Sequence, residues 1–412
     1  MKVLKIPLSW QIVVSIIAAL LIWYVFPMAA AYLGELTELY INGLTLLLVP
    51  YVFFTLMSVF SAESSNLFFG RIVLKNLFWF VTVETLAAVL SLLISNIFFM
   101  DSVIETSNAE NVHFELQRDF GDFVFLALPH NIFSAVMDHN LFSILLITCI
   151  LGLLSSRCKD RTRTYFSSFF SSFSDLVEKC AVFASNLSPL GIFFFVCKLA
   201  SDGNIFDNFE KIIPFLLAVA VALLIHCMVV LPVIVKVFTK RSPFQVMKVF
   251  SSSLFITLSA RSPILALPFV SEKMKNEAGI SSRVSFLSLP VTGVLSFNGT
   301  TVFLTVAAMY IAQAYGINLS VMEQLTLVFS VIFICVANFD FPLKMTVLLF
   351  PVLERIGIPI EGLGILACCD LCFSMIASAA DMWGNVCATL VIAKSEGDNI
   401  KFPFDEIKPP SE

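Results

Sequence analysis

A stripe of polar residues runs through the last long apolar segment of the chain. Asp370, Ser374, Ser378, Asp381 and Asn385 follow one another at intervals of three or four, and Ala377, three residues after Ser374, falls in the same stripe. On a helix this spacing places them on one face. A carboxylate inside an apolar span costs about 2.5–3.5 kcal/mol on insertion scales, so Asp370 and Asp381 each require a partner, an ion or a proton. The stripe predicts ion or ligand binding, whereas Ser374 or Ser378 alone would fit simple hydrogen bonding.

The preceding apolar segment, residues 284–322, has a second polar centre. It reads Ser296-Phe297-Asn298-Gly299-Thr300. Glycine beside short polar side chains favours local unwinding, which frees backbone groups to bind a cation or a small molecule. Glu84 and His226 are lone polar residues in other apolar segments. For these two we favour a packing role over a role in a site.

The composition identifies the environment of these residues. The chain has 412 residues, of which 58% are apolar and 13% charged, against about 45–50% and 25% in soluble domains. With a mean hydropathy of +0.92, this predicts a polytopic membrane protein. The net charge of −5 and the lack of a basic patch exclude nucleic-acid binding. Common hydrolase and metal motifs are absent from the sequence, so an enzyme is not expected.

Charge-poor stretches of spanning length give the first outline of the topology. They cover residues 9–26, 39–60, 76–100, 212–235, 284–322 and 363–392, with less pure stretches at 142–154 and 165–199. The first could be a secretory signal, but it exceeds the usual apolar core of about 7–15 residues, so we expect a retained span. Basic and acidic loops alternate, and the positive-inside rule places both termini in the cytoplasm.

Two further apolar segments are interrupted near their centres. Residues 250–270 break at Ser259–Pro263, which leaves arms too short to cross a hydrocarbon core of about 30 Å. Basic residues flank this segment on both sides, which predicts a re-entrant hairpin. Residues 325–353 break at Asn338–Pro342. The alternative is that Pro263 and Pro342 only kink ordinary spans.

Each hairpin is followed by a long span with a polar centre, which is typical of inverted repeats in secondary transporters. We therefore predict an all-α polytopic membrane protein with eight spans and two re-entrant helical hairpins. Arg261 at the first break is the candidate partner of an anion, because a guanidinium matches the geometry of a carboxylate. Asp340 and Lys344, four residues apart, could form an ion pair at the second break.

The sequence resembles the dicarboxylate/amino acid:cation symporter family, over nearly the whole chain and most strongly in residues 250–394. Leu267-Pro268 matches the end of that family's serine-rich first hairpin, and Ser296 to Thr300 matches its Asn-Met/Leu-Asp-Gly-Thr motif. Residues 303–314 are close to the dicarboxylate branch, and residues 337–342 correspond to the tip of the second hairpin. Gly384 and Ile392-Ala393-Lys394 keep the alignment without a gap.

The resemblance implies a homotrimer in the cell inner membrane that works by elevator-type alternating access. Residues 1–240 would form the scaffold, with spans 3 and 6 moving with the core. Residues 243–394 would form the transport core, and residues 395–412 a cytoplasmic tail. The implied function is ion-coupled symport of a C4-dicarboxylate, an amino acid or another small organic anion. The alternative is a degenerate member that acts as an ion or anion channel or lacks coupled transport.

The resemblance also implies two sets of site residues. The substrate-binding set is Arg261, Ser262, Thr300, Asn338, Asp340, Ser374, Ser378 and Asp381. The ion-coupling set is Ser296, Asn298, Asp370, Asp381 and Asn385. No cofactor is expected beyond Na⁺ or H⁺ as the coupling ion.

Several departures from the family pattern fall in these sets. The family's sodium-binding aspartates fall on Asn298 and Asn385, which are the candidate Na⁺ ligands, and its asparagine falls on Asp381. In carriers of acidic amino acids, an arginine binds the side-chain carboxylate of the substrate, and Ala377 corresponds to that arginine. An aspartate binds the amino group of the substrate, and Ser374 corresponds to that aspartate. Because a carboxylate in a low-dielectric site can carry a proton, we favour proton coupling through Asp381, with Asp370 as a second candidate. Sodium coupling remains the alternative.

Overall fold

The computed structural model describes most of the chain. The described residues are 8–61, 67–99, 141–156, 158–201, 205–260, 263–336, 344–358, 363, 366 and 370–402. In these ranges the regular secondary structure is helical and contains no strand. The all-α class predicted from the sequence is therefore confirmed.

The helices are numbered in chain order. The first seven are α1 (Leu8–Val25), α2 (Pro27–Ser61), α3 (Leu67–Phe99), α4 (Leu141–Ser156), α5 (Asp160–Asn186), α6 (Ser188–Ser201) and α7 (Ile205–Ile225). A π-helical turn, His226–Val230, joins α7 to α8 (Leu231–Thr239). The others are α9 (Pro243–Ala260), α10 (Pro263–Asn276), α11 (Ser282–Leu295), α12 (Asn298–Ala314), α13 (Val321–Val336), α14 (Lys344–Ile356) and α15 (Asp370–Ser395).

Among the described residues, helical segments with the length and hydropathy of membrane spans occur in four places. They are Gly70–Phe99, Ile212–Thr239, Leu287–Ala314 and Cys372–Ser395. A span of about 20 residues crosses the hydrocarbon core of a bilayer. These segments agree with a multi-pass membrane protein, and the number of eight spans stays a prediction.

Two spans begin earlier than hydropathy alone indicates. α2 starts at Pro27 and not near residue 39, and α3 starts at Leu67 and not at residue 76. A search for apolar runs misses both starts because charged residues lie in the N-terminal parts of these helices. In α3 these are Arg71 and Lys75, which pair with Glu396 and so satisfy their charges at the surface.

The helices pack in two groups. In the outer group α1 contacts α2 and α6, and α2 also contacts α4 and α5. The inner group surrounds α12 and α15, which contact each other. α3, α7, α13 and α14 pack against α12, whereas α8, α9, α10 and α11 pack against α15. Contacts between the groups run from α13 to α4 and from α14 to α2.

The first interrupted segment is a helical hairpin. α9 and α10 pack against each other, and Nζ of Lys273 in α10 donates a hydrogen bond to the carbonyl of Val249 in α9. The two helices therefore lie side by side and are not one continuous span that is merely kinked at Pro263. α13 and α14 of the second interrupted segment also pack against each other.

The residues after α15 hold together the ends of several inner helices. Oδ2 of Asp398 accepts hydrogen bonds from the backbone N–H and the hydroxyl of Ser281, just before α11. The N–H of Lys401 donates to the carbonyl of Ala278, which follows α10. Ile400 and Phe402 are buried in the apolar core of this region. The chain after α15 thus packs onto the inner group.

Candidate functional site

The centre of the inner group is a break between α11 and α12. α11 ends at Leu295, Ser296 is extended with φ −110° and ψ 114°, and α12 begins at Asn298. Phe297, the residue before α12, makes no side-chain cap. The first N–H groups of a helix lack partners within the helix, so acceptors must come from elsewhere. The unwinding predicted around Ser296 to Thr300 is confirmed at Ser296 and Phe297, whereas Asn298 to Thr300 form the first turn of α12.

Asp381 of α15 supplies acceptors for the start of α12. Its Oδ1 accepts from the N–H groups of Gly299, at 2.7 Å, and Thr300, at 3.2 Å. Its Oδ2 accepts from the hydroxyl of Thr300 at 3.0 Å. The carboxylate is completely buried and sits at the positive end of the α12 dipole. The structure therefore brings together Thr300 and Asp381, which are both members of the predicted substrate-binding set.

Two glycines allow α12 and α15 to approach this closely. A Cβ on Gly299 would lie 2.5 Å from the carbonyl oxygen of Ala377 and 2.8 Å from Cβ of Ala380. A Cβ on Gly384 would lie 1.9 Å from Nδ2 of Asn298. Because real Cβ atoms do not approach other atoms so closely, any larger residue would separate the two helices or displace Asn298.

Glu84 of α3 contacts the same break from the opposite side. Its Oε1 accepts from the N–H of Phe297 at 2.7 Å and from the hydroxyl of Ser296 at 3.3 Å. Its Oε2 accepts a short hydrogen bond from the hydroxyl of Thr301. Glu84 is completely buried. Two carboxylates from two different helices thus share the donors around the start of α12.

Asn298 lies between Ser296 and the π-helical turn. Its Nδ2 donates to the hydroxyl of Ser296 at 3.2 Å, and its Oδ1 lies 3.3 Å from Nε2 of His226. Because an amide oxygen only accepts, the imidazole Nε2 donates. Nδ1 of His226 has no hydrogen-bond partner within the described residues.

The π-helical turn is attached to α15 by a hydrogen bond to a carbonyl that a proline leaves without its helical donor. In a π turn each carbonyl accepts from the N–H five residues later, as the carbonyl of His226 does from Leu231. The corresponding donor for Cys227 would be Pro232, which has no N–H. Nε1 of Trp383 in α15 donates to that carbonyl instead, at 3.0 Å. This bond fixes the turn that carries His226.

Asp370 repeats the capping arrangement at the start of α14. Its Oδ1 accepts from the N–H of Thr346 at 3.0 Å and from the hydroxyl of Thr346 at 3.3 Å. Asp370 and Asp381 thus each lie at the N-terminal turn of a helix of a different segment. In both cases a threonine provides a backbone and a hydroxyl donor.

The polar stripe on α15 faces the protein interior. Asp370, Ser374, Ser378, Asp381 and Asn385 are buried, with exposed fractions between 0% and 5%. By contrast, Cys372 and Ile376 of the same helix are exposed. The single face predicted from the spacing is therefore confirmed. Asn385 lies one turn after Asp381, and the two asparagines proposed as Na⁺ ligands are both completely buried.

Four predicted substrate residues, Arg261, Ser262, Asn338 and Asp340, lie outside the described residues, as does the side chain of Lys344. Their roles stay predictions.

Sequence reasoning missed the part of the site that comes from α3 and the π turn. The sequence favours a packing role for Glu84 and His226, but in the structure both make hydrogen bonds to residues of the break. A signal was present for Glu84, because a lone carboxylate in a charge-poor span is costly and requires a partner. The donors freed at Ser296 to Thr300 are that partner.

Comparison with known proteins agrees with this architecture. The profile of the sodium:dicarboxylate symporter family matches residues 8–395. Similar curated proteins include the proton/sodium-glutamate symport protein of Geobacillus stearothermophilus, 24% identical over 95% of each chain. The proton/glutamate-aspartate symporter of Escherichia coli K12 is 25% identical, over 96% of this chain and 94% of the relative. The C4-dicarboxylate transport protein of Bacillus subtilis 168 is 23% identical, over 99% and 96%. The chain therefore belongs to the sodium:dicarboxylate symporter family, whose members are membrane transport proteins and not enzymes.

Proposed function

We propose that this protein is an ion-coupled symporter for a small organic anion, a C4-dicarboxylate or an amino acid, in the cell inner membrane. The observation that carries the proposal is the buried polar cluster at the break between α11 and α12, where Asp381 caps α12. Broken helices near the centre of the membrane are where secondary transporters bind substrate and coupling ions. The related proton/sodium-glutamate symport protein supports coupled transport over the alternative of a channel, and the related C4-dicarboxylate transport protein supports an organic-anion substrate.

A C4-dicarboxylate is the first substrate to test. From the family resemblance we expect Ser374 and Ala377 to occupy the positions at which carriers of acidic amino acids have an aspartate and an arginine. Without that aspartate, the amino group of an amino acid loses its counter-charge. Ser374, Ser378 and Thr300 offer buried hydroxyl groups, and Arg261 is the proposed partner of one substrate carboxylate.

The proposed coupling ion is a proton on Asp381. Its Oδ2 faces the hydroxyl of Thr300, which can accept as well as donate, so a proton on Oδ2 has an acceptor. Oδ1 of Asn298, by contrast, already accepts a hydrogen bond from His226, which leaves only its second lone pair for sodium. A second protonation site on Asp370 and a sodium site with Asn298 and Asn385 are the alternatives.

The proposed mechanism is elevator-type movement of the inner group within a homotrimer. Residues 243–394 would form the moving core, and the outer helices α1, α2 and α4–α6 would form the scaffold. Packing supports the proposal that spans 3 and 6 move with the core, because α3 and α7 both contact α12. Residues 395–412 would form a cytoplasmic tail.

Uptake into proteoliposomes tests the function. We expect labelled succinate, fumarate or malate to accumulate uphill when an inward proton gradient is imposed, with choline in place of sodium. A channel would only equilibrate the label. Glutamate and aspartate, tested in parallel, distinguish an amino-acid carrier from a dicarboxylate carrier.

Asp381→Asn tests the coupling ion, because the amide keeps the shape and the Oδ1 acceptor but cannot carry the proton. We expect residual transport that no longer responds to the pH gradient. If transport instead requires sodium at constant pH and Asp381→Asn lowers only the sodium affinity, the proton assignment is wrong.

A further inference from the structure

Glu84 is placed to control the geometry of the break from outside the predicted site. It lies in α3, in the part of the chain that the resemblance assigns to spans 1–6, and it is completely buried. Both of its oxygens accept hydrogen bonds from residues 296–301. This range contains the start of α12 and two residues of the predicted ion-coupling set, Ser296 and Asn298. Among the described residues, no lysine or arginine forms an ion pair with Glu84.

The donors of the break are divided between two acids. Asp381 takes the N–H groups of Gly299 and Thr300, on the side of α15. Glu84 takes the N–H of Phe297, on the side of α3. The N–H of Thr301 already donates to the carbonyl of Phe297 within the helix. Without Glu84, the N–H of Phe297 would be a buried donor with no acceptor, at the point where the helix is interrupted.

The bonds to Glu84 continue to the candidate coupling residues. Ser296 donates to Glu84 and accepts from Nδ2 of Asn298. Asn298 in turn rests against Gly384 of α15 and contacts His226. A shift of the Glu84 carboxyl group therefore moves Ser296 and, through it, the side chain of Asn298.

We propose that Glu84 is a positioning residue for the coupling site, and that it acts by accepting hydrogen bonds and not by its charge. The inference rests on the proposed function where it names a coupling site. The hydrogen bonds around Glu84 favour a role that does not depend on its charge. The hydroxyl of Thr301 lies 3.1 Å from Sγ of Cys335, a second acceptor for its proton. Thr301 can therefore accept a hydrogen bond from a neutral group at position 84 while it donates to sulfur.

Glu84→Gln and Glu84→Met separate hydrogen bonding from charge. The carboxamide oxygen can accept from Phe297 and Ser296, and its NH₂ group can donate to Thr301. The methionine side chain has a similar length but gives those donors no comparable acceptor. Asn76→Ala is the matched control, because Asn76 is also a buried residue of α3 that links it to α11, through the hydroxyl of Ser288 at 3.3 Å.

Hydrogen–deuterium exchange on the purified full-length protein tests the structural step without any transport assay. We expect Glu84→Met to speed exchange in peptides that cover residues 295–302 by at least tenfold. Glu84→Gln and Asn76→Ala should change it less than threefold. Unchanged exchange in Glu84→Met would overturn the proposal, even if no substrate of the protein had been found.

The functional step is measured in the proteoliposome assay. We expect Glu84→Met to raise the half-saturating concentration of the coupling ion at least fivefold, whereas Glu84→Gln stays within twofold of the wild type. Asn76→Ala should lower only the amount of folded protein. If Glu84→Gln is as damaged as Glu84→Met, the charge and not the hydrogen bonding of Glu84 is required. If both variants keep the wild-type ion dependence, Glu84 has only a packing role.

Discussion

Asp381 in the middle of α15 and Glu396 just beyond its end both attach this helix to its neighbours, but they bind different kinds of donor. The described bonds to Asp381 come from two backbone N–H groups and a hydroxyl at the start of α12. Glu396 binds the side-chain cations of Arg71 and Lys75 of α3 at 2.8 Å and 2.5 Å. The Asp381 cap is completely buried, whereas the Arg71 side chain is 59% exposed.

The difference indicates which attachment can respond to solution conditions. Backbone donors in a buried helix turn cannot rearrange without unwinding the turn, and salt does not screen them effectively. Flexible cations at a surface exchange partners with water and counter-ions at little cost. We therefore expect the centre of α15 to determine the geometry of the site, and its end to contribute a small, adjustable stabilisation.

The largest effect should come from Asp381→Ala. It leaves the N–H groups of Gly299 and Thr300 buried without an acceptor, at about 1–3 kcal/mol each. We expect thermal unfolding in detergent to shift markedly and transport to fall by about 100-fold. Asp381→Asn keeps an acceptor oxygen and should be clearly more stable. Equal stability of the two variants would show that the cap contributes nothing to the fold.

Gly384→Ala should affect the site next most strongly, because the added methyl group displaces the side chain of Asn298. Overpacking of this kind costs about 1–3 kcal/mol. We expect substrate or ion affinity to fall by about tenfold. Gly293→Ala is the control, since its methyl group would lie 3.5 Å from Leu267, an ordinary contact. Wild-type binding in Gly384→Ala would mean that the position of Asn298 is irrelevant.

Asp370→Ala should have a smaller effect than Asp381→Ala, because the described bonds to Asp370 include one backbone N–H, that of Thr346, whereas those to Asp381 include two. The expected loss of stability is about 1–3 kcal/mol. Both described bonds go to the same oxygen of Asp370, so Asp370→Asn can keep them. Unfolding curves of the two variants check this, and a loss in Asp370→Asn as large as in Asp370→Ala would point to a role for its charge.

The sequence predicted those parts of the site whose residues are close together along the chain. The stripe from Asp370 to Asn385 shows the helical period directly, and the break at Ser296 to Thr300 shows glycine beside short polar residues. The short arms of the first interrupted segment likewise predict the hairpin packing of α9 against α10. Each of these signals lies within one or two helices.

The contributions from distant elements could not be read in this way. Glu84 contacts Phe297, which is 213 residues later in the chain, and a single polar residue in α3 has no periodic pattern. The role of His226 depends on a π turn followed by Pro232, which hydropathy does not reveal. Three-dimensional packing, and not local propensity, decides which lone polar residue belongs to the site.

The smallest effect is expected at Glu396. Burial of its carboxylate raises its pKa, but hydrogen bonds and charge from Lys75, with the charge of Arg71, outweigh burial, and the pKa lies below its ordinary value. Because the folded-state pKa is lowered, the stabilisation is complete above the ordinary glutamate range and is lost as the pH falls through the lowered value. Surface pairs of this kind contribute about 0–1 kcal/mol.

Glu396→Gln isolates this contribution. Between neutral and acidic pH, the wild type should lose slightly more stability than Glu396→Gln, and the difference between them should shrink in high salt. The difference in stability between the wild type and Asp381→Asn, measured alongside, should not depend on salt, because the donors to residue 381 include buried backbone N–H groups. If salt changed the stability differences of Glu396→Gln and Asp381→Asn from the wild type equally, the contrast between the centre and the end of α15 would be wrong. The buried cap at Asp381 would then be as accessible to solvent as the ion pairs of Glu396.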